Sequence, residues 1–103
     1  MWRGCAVNDR AEAYRTHVTT RVFPTLRRME GFLRGRLFQR EIDGRIEVLV
    51  VTEWASMAAI RAFAGDDVGR AVVEPEARAC LEAFDERVDH FDLAVDTAAS
   101  VPD

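Results

Sequence analysis

The run Ile46 to Gly65, IEVLVVTEWASMAAIRAFAG, constrains the fold of this chain most, because it joins a two-faced strand to an amphipathic helix through a Trp and a Ser. Ile46, Val48, Val50, Thr52 and Trp54 fall on one face, and Glu47, Leu49, Val51 and Glu53 on the other. Neither set reads as plainly solvated, so the strand is expected at the centre of a sheet, covered on both sides. Ser56 is placed to cap the helix that follows, with Met57, Ile60, Phe63 and Ala64 on its apolar side and Gly65 to stop it.

Upstream, Asp43-Gly44 separates two strand-like runs and signals a two-residue hairpin, pairing Phe32–Ile42 antiparallel with Arg45–Trp54. Arg34, Arg36 and Arg40 on one side of the earlier strand, against Leu33, Leu37 and Gln39, mark it as an edge. A first strand over Met1–Val7 leads to a helix capped by Asp9 with Glu12 in the capping-box position. Its buried stripe is Ala11, Tyr14, Val18, Val22, Leu26 and Met29, and Pro24 kinks or restarts its last turn. Downstream, the pattern predicts a short helical turn over Val68–Val73 and a helix opened by Pro75 with Ala77, Cys80, Leu81 and Phe84 on one face. Val88–Val95 alternates as a last strand.

Strand, helix, two strands, helix region and strand make an α+β, ferredoxin-like βαββαβ fold, a four-stranded antiparallel sheet with helices on one face. Right-handed crossovers put the first and third strands in the middle and the second and fourth at the edges. The other sheet face then lacks a cover, and a second copy packed across a two-fold axis is the economical one. A length of 103 residues fits one domain, expected over residues 1–96 with a flexible tail over 97–103.

All fourteen basic residues are Arg, a bias that GC-rich coding accounts for, and a formal charge of −4 argues against nucleic acid as a partner. The first residues lack a leader pattern and no apolar run reaches the ~20 residues of a membrane span, so a cytoplasmic protein is expected. Cys5 and Cys80 then read as free, small apolar residues. The spacing of His and Cys offers no metal motif, and no Gly-rich nucleotide fingerprint is present, so neither metal nor cofactor is expected.

The segments Glu53-Trp54-Ala55-Ser56, Ala58 to Asp67, Ala71-Val72, Pro75-Glu76 and Val88-Asp89-His90-Phe91-Asp92 resemble the antibiotic biosynthesis monooxygenase-like family, whose members form dimeric α/β barrels. The resemblance implies a homodimer formed through the open sheet face. One branch of that family oxidises polyketide phenols without a cofactor and is similar at Trp54, but it carries an Asn four residues before that Trp and a Tyr six after it. Those places hold Val50 and Ile60 here. The haem-degrading branch uses an Asn, a Trp and a His ligand at places occupied by Trp2, Phe63 and Val73, so the iron ligand is missing.

His90 is the candidate general acid or base, since imidazole changes charge near neutral pH and can take a proton from a phenol or enol. The competing reading is a structural His beside Asp89 or Asp92, or at the dimer seam. Trp54, with Phe63, Tyr14 and Trp2, is expected to bind substrate by lining an aromatic pocket; the alternative for Trp54 is a plug of the barrel end. His17 is read as exposed or at a rim. The resemblance implies a cofactor-independent monooxygenase or related enolising enzyme acting on a small aromatic or quinol-like compound. The alternative is a non-catalytic dimeric module that binds a small ligand or has only a structural role.

Overall fold

The computed structural model describes residues 1–97. Four strands, β1 (Trp2–Val7), β2 (Phe32–Ile42), β3 (Arg45–Trp54) and β4 (Ala83–Phe84), form one antiparallel sheet in the order β2-β3-β1-β4. The helices are α1 (Asn8–His17), α2 (Phe23–Arg27), α3 (Met57–Ala64) and α4 (Pro75–Cys80). This is the α+β ferredoxin-like arrangement, with β1 and β3 central.

The β2–β3 hairpin forms where the sequence places it. Asp43 and Gly44 both have positive φ, 51° and 76°, as a type I′ turn requires, and Ile42 then pairs with Arg45. The ladder carries a bulge between Phe32 and Arg34, which turns Leu33 outward to 64% exposure instead of setting it beside Leu37. At the end of the ladder Gly31 has φ 83°, and a Cβ there would lie 2.5 Å from that of Ala59, so the entry to β2 admits only glycine. The Gly31 carbonyl also accepts a hydrogen bond from the Ala55 N–H at 2.7 Å, which anchors the start of α3 beside it. Ser56 Oγ accepts from the Ala59 N–H, and Gly65, at φ 88°, ends α3.

Register divides the sheet into two faces. Trp2, Gly4 and Ala6 lie across from Val50, Val48 and Ile46, and this side carries the buried core with Tyr14 and Val18 of the long helical segment. On the other side stand Leu49, Val51 and Phe38, the last half exposed, with Arg40 and Glu47 paired at 2.8 Å beside them. No helix covers that face among the described residues.

The helix after β1 is interrupted by a widened, π-helical turn at Val18–Val22, where the Phe23 N–H reaches back to the Val18 carbonyl. Pro24 is the cause: it has no N–H to donate to the preceding turn and its ring would clash with it. The helix restarts as α2 with Pro24 in its first turn. The Asp9 cap does not form. Val7 occupies the N-cap position because β1 runs straight into α1, so Asp9 lies in the first turn, where its charge favours the helix dipole.

Three further expectations are corrected. Val68–Val73 is not helical. A turn at Val68–Gly69 leads to an isolated antiparallel bridge between Arg70 and Arg87, held by a bidentate Arg87–Asp67 pair (2.7 and 3.1 Å) and by backbone bonds from Ala71 to Glu86 and from Val88 to Gly69. Helix α4 ends at Cys80, and Leu81 and Phe84 reach the core from extended backbone instead. The last strand is Ala83–Phe84, not Val88–Val95. With Phe84 opposite Gly4, the chain runs antiparallel to β1 and passes its beginning near Asp89, whose N–H still bonds to the Met1 carbonyl. Among the described residues the chain beyond that point pairs with no strand, and Phe91, Leu93 and Val95 are 72–84% exposed. Of the tail expected over 97–103, residues 98–103 lie outside the described residues.

Cys5 and Cys80 are free. No helix among the described residues is long and apolar enough to cross a membrane.

Candidate functional site

Between the core face of the sheet and the helices lies a cavity of about 150 Å³. The widened turn at Val18–Val22 forms part of its wall, and Val18, Val22 and Leu26, on the stripe their spacing sets, all line it. Trp2, Tyr14, Trp54, Phe63 and His90 all line it, although they come from β1, α1, β3, α3 and the segment after β4.

Two aromatic groups frame the space. Trp2 stands 6.2 Å from both Tyr14 and Phe84, centroid to centroid, and its Nε1–H donates to the Asp85 carbonyl at 2.7 Å. Its ring lies over Gly4, where a Cβ would come within 2.9 Å of it. Trp54 stacks on Phe63 at 5.5 Å with planes 21° apart, meets Phe32 edge-on, and donates to Thr52 Oγ1 at 3.0 Å. Both indole N–H groups are thus held by the protein, and the rings present apolar faces to the cavity.

The polar groups left to a ligand are few. Tyr14 is 3% exposed, and among the described residues no hydrogen bond holds its hydroxyl. Burial, with a smaller contribution from nearby Cys80, pushes its pKa well above the ordinary phenol value, so it stays a neutral donor at physiological pH. His90 is not on a strand as expected but in exposed, irregular chain after β4. Its Nε2 lies 2.5 Å from the Val68 carbonyl. A carbonyl can only accept, so Nε2 carries the proton, and Nδ1 is the nitrogen with a free lone pair in the neutral ring. The Arg87–Asp67 pair holds the turn that presents Val68, and through it the orientation of His90. Hydrogen bonding from Arg87 keeps the Asp67 carboxyl below the ordinary carboxylate range, so this latch persists down to mildly acid pH.

His17 departs from the sequence reading. It is 8% exposed and lines the cavity, because it follows Tyr14 by three residues and so shares its buried stripe. Hydropathy hides it, whereas spacing would have found it. Its ring approaches Glu74 and Glu76, remote in sequence, so that one donor atom from each of the three lies within 4.8 Å of the others. Spacing along the chain gives no hint of this group. Val50 and Ile60 line the cavity too, as apolar wall.

A family model for antibiotic biosynthesis monooxygenase matches residues 6–75, more than half of the chain. The chain belongs to the antibiotic biosynthesis monooxygenase family. No curated protein and no solved structure is significantly similar to it. In this monooxygenase-family chain the matched region carries β1 from Ala6 through α3, and with them Tyr14, His17, Trp54 and Phe63. Trp2 and His90 lie outside the match, so the cavity combines family scaffold with residues contributed by the two ends of the described chain.

Proposed function

We propose that this monooxygenase-family protein oxidises a small, single-ring quinol-like compound with O2 and without a cofactor. The observation that carries the reading is the convergence of Trp2, Trp54, Phe63, Tyr14 and His90 on one apolar cavity in a chain of this family. A volume of about 150 Å³ is that of a space able to hold one benzene-sized ring. The Trp faces sandwich such a ring, Tyr14 hydrogen-bonds a ring oxygen, and His90 Nδ1 removes the hydroxyl proton to give the electron-rich anion that O2 attacks. One oxygen atom enters at a ring carbon and the other leaves as water with two substrate hydrogens. One quinol and one O2 thus give one hydroxyquinone and one water.

Oxygen uptake with a panel of single-ring quinols tests this. Wild type should consume one O2 per quinol, and His90→Ala should be severely slowed.

Val50 and Ile60 favour a second reading. Both are apolar wall, so the cavity offers a developing oxyanion little beyond Tyr14 and its histidines. On that reading the protein binds the same class of aromatic ligand without turning it over, and saturable binding with no oxygen uptake by wild type would select it.

A homodimer belongs to either reading. The sheet face bearing Phe38, Leu49 and Val51 is uncovered, Val7 and Ile42 are both 39% exposed on it, and a second copy would bury this apolar strip between Arg–Glu pairs. Light scattering at micromolar concentration should give twice the chain mass of 11.6 kDa, and a mass near 11.6 kDa would overturn the dimer.

A further inference from the structure

We propose that His17, Glu74 and Glu76 form a binding site for a first-row divalent cation at the mouth of the cavity. The inference does not depend on the proposed oxidation. Its starting point is an orphaned atom: His17 is 8% exposed, and among the described residues its buried Nε2 has no hydrogen-bond partner. It stands 3.5 Å from Glu74 Oε2, and one donor atom from each of His17, Glu74 and Glu76 lies within 4.8 Å of the others. A cation bound at about 2.0–2.2 Å to an imidazole and a carboxylate holds the two donors roughly 3.3 Å apart, close to the spacing seen.

The frame is rigid. His17 ends α1, and Glu74 and Glu76 flank Pro75 at the start of α4, so the proline fixes the backbone between the two carboxylates. Arg10 of α1 donates to the Ala79 carbonyl of α4 at 2.9 Å, and Arg78 donates to the Val73 carbonyl, which locks the two helices and the turn before α4 together. A carboxylate near a helix start has an electrostatic reason to be there without any metal. The buried, unpartnered imidazole aimed at it has none. One nitrogen and two carboxylates suit Zn²⁺, Co²⁺ or Mn²⁺ and leave coordination positions open. Because His17 and Glu74 line the cavity, an open position can take an anionic oxygen of a bound ligand, such as a phenolate or carboxylate.

Titrating the full-length, chelator-treated protein with Co²⁺ and following its visible spectrum tests the site without turnover. One Co²⁺ per chain should bind, with a nitrogen–oxygen spectrum free of thiolate charge transfer, and Zn²⁺ should raise the melting temperature. Glu74→Gln, at a half-exposed side chain that the fold tolerates, should weaken Co²⁺ binding at least about tenfold, and His17→Gln at least as much. Absence of saturable binding, binding unchanged in Glu74→Gln, or a thiolate band that puts the metal on Cys5 or Cys80 would each overturn the proposal. A protein that binds Co²⁺ but consumes no oxygen would sink the oxidation reading alone.

Discussion

His90→Ala should lower the rate of quinol-dependent oxygen uptake by about 10²–10⁴-fold, the usual contribution of a positioned general base. The expectation rests on a fixed tautomer: the Val68 carbonyl takes the Nε2 proton, and Nδ1 remains as base. Because His90 is exposed and outside the core, the substitution should leave the melting temperature nearly unchanged, which separates loss of chemistry from loss of fold. Added imidazole should restore part of the rate in His90→Ala. Equal rates for the two proteins would remove His90 from the mechanism. Arg87→Ala, which frees the turn carrying Val68, should act in the same direction but more weakly, since it disorients the base without removing it.

Trp2→Ala should destabilise the protein by about 3–5 kcal/mol, the range for emptying a buried aromatic site. For a domain of this size that lowers the melting temperature by roughly 15–30 °C, a large part of a total stability that is commonly only 5–15 kcal/mol. The residue is 9% exposed, touches the Tyr14 and Phe84 rings and ties β1 to the chain after β4 through the Asp85 carbonyl. Trp2→Phe keeps the ring contacts and loses the hydrogen bond, so it should cost about 1–2 kcal/mol. Thermal unfolding measures both. A Trp2→Ala loss under about 1 kcal/mol would mean that this side of the core is not packed as described.

The parts of the fold that were legible are those decided by neighbours in sequence. Phe32–Ile42, Arg45–Trp54 and the turn at Asp43-Gly44 follow from period-two patterning and a dipeptide that tolerates positive φ. Ser56 and Gly65 likewise bound α3 by local chemistry. The parts that were not legible depend on distant partners. Val88–Val95 alternates like a strand, but whether it pairs is set by a distant partner, and among the described residues it is Ala83–Phe84 that pairs with the edge of β1. Leu81 and Phe84 have helical spacing, yet pairing of Ala83 and Phe84 with β1 outweighs the continuation of a short helix.

The site divides in the same way. Trp54 and Phe63 could be placed together because a strand and the next helix fix their separation, and they stack. The gathering of His17 with Glu74 and Glu76 needs α1 and α4 to pack, which no local pattern encodes. The absence of an Asp9 cap is a smaller case: the residue type suits the role, but β1 leaves no turn in which to perform it.

Both functional readings require an aromatic ligand in the cavity, and intrinsic fluorescence reports on that directly. The chain has two tryptophans, and both line the cavity. Titration with a single-ring quinol under anaerobic conditions should quench their emission saturably, with one site per chain, and Ala64→Phe, which adds a ring to the cavity wall, should abolish the effect. Quenching that never saturates, or that persists undiminished in Ala64→Phe, would contradict the assignment of this cavity as the ligand site.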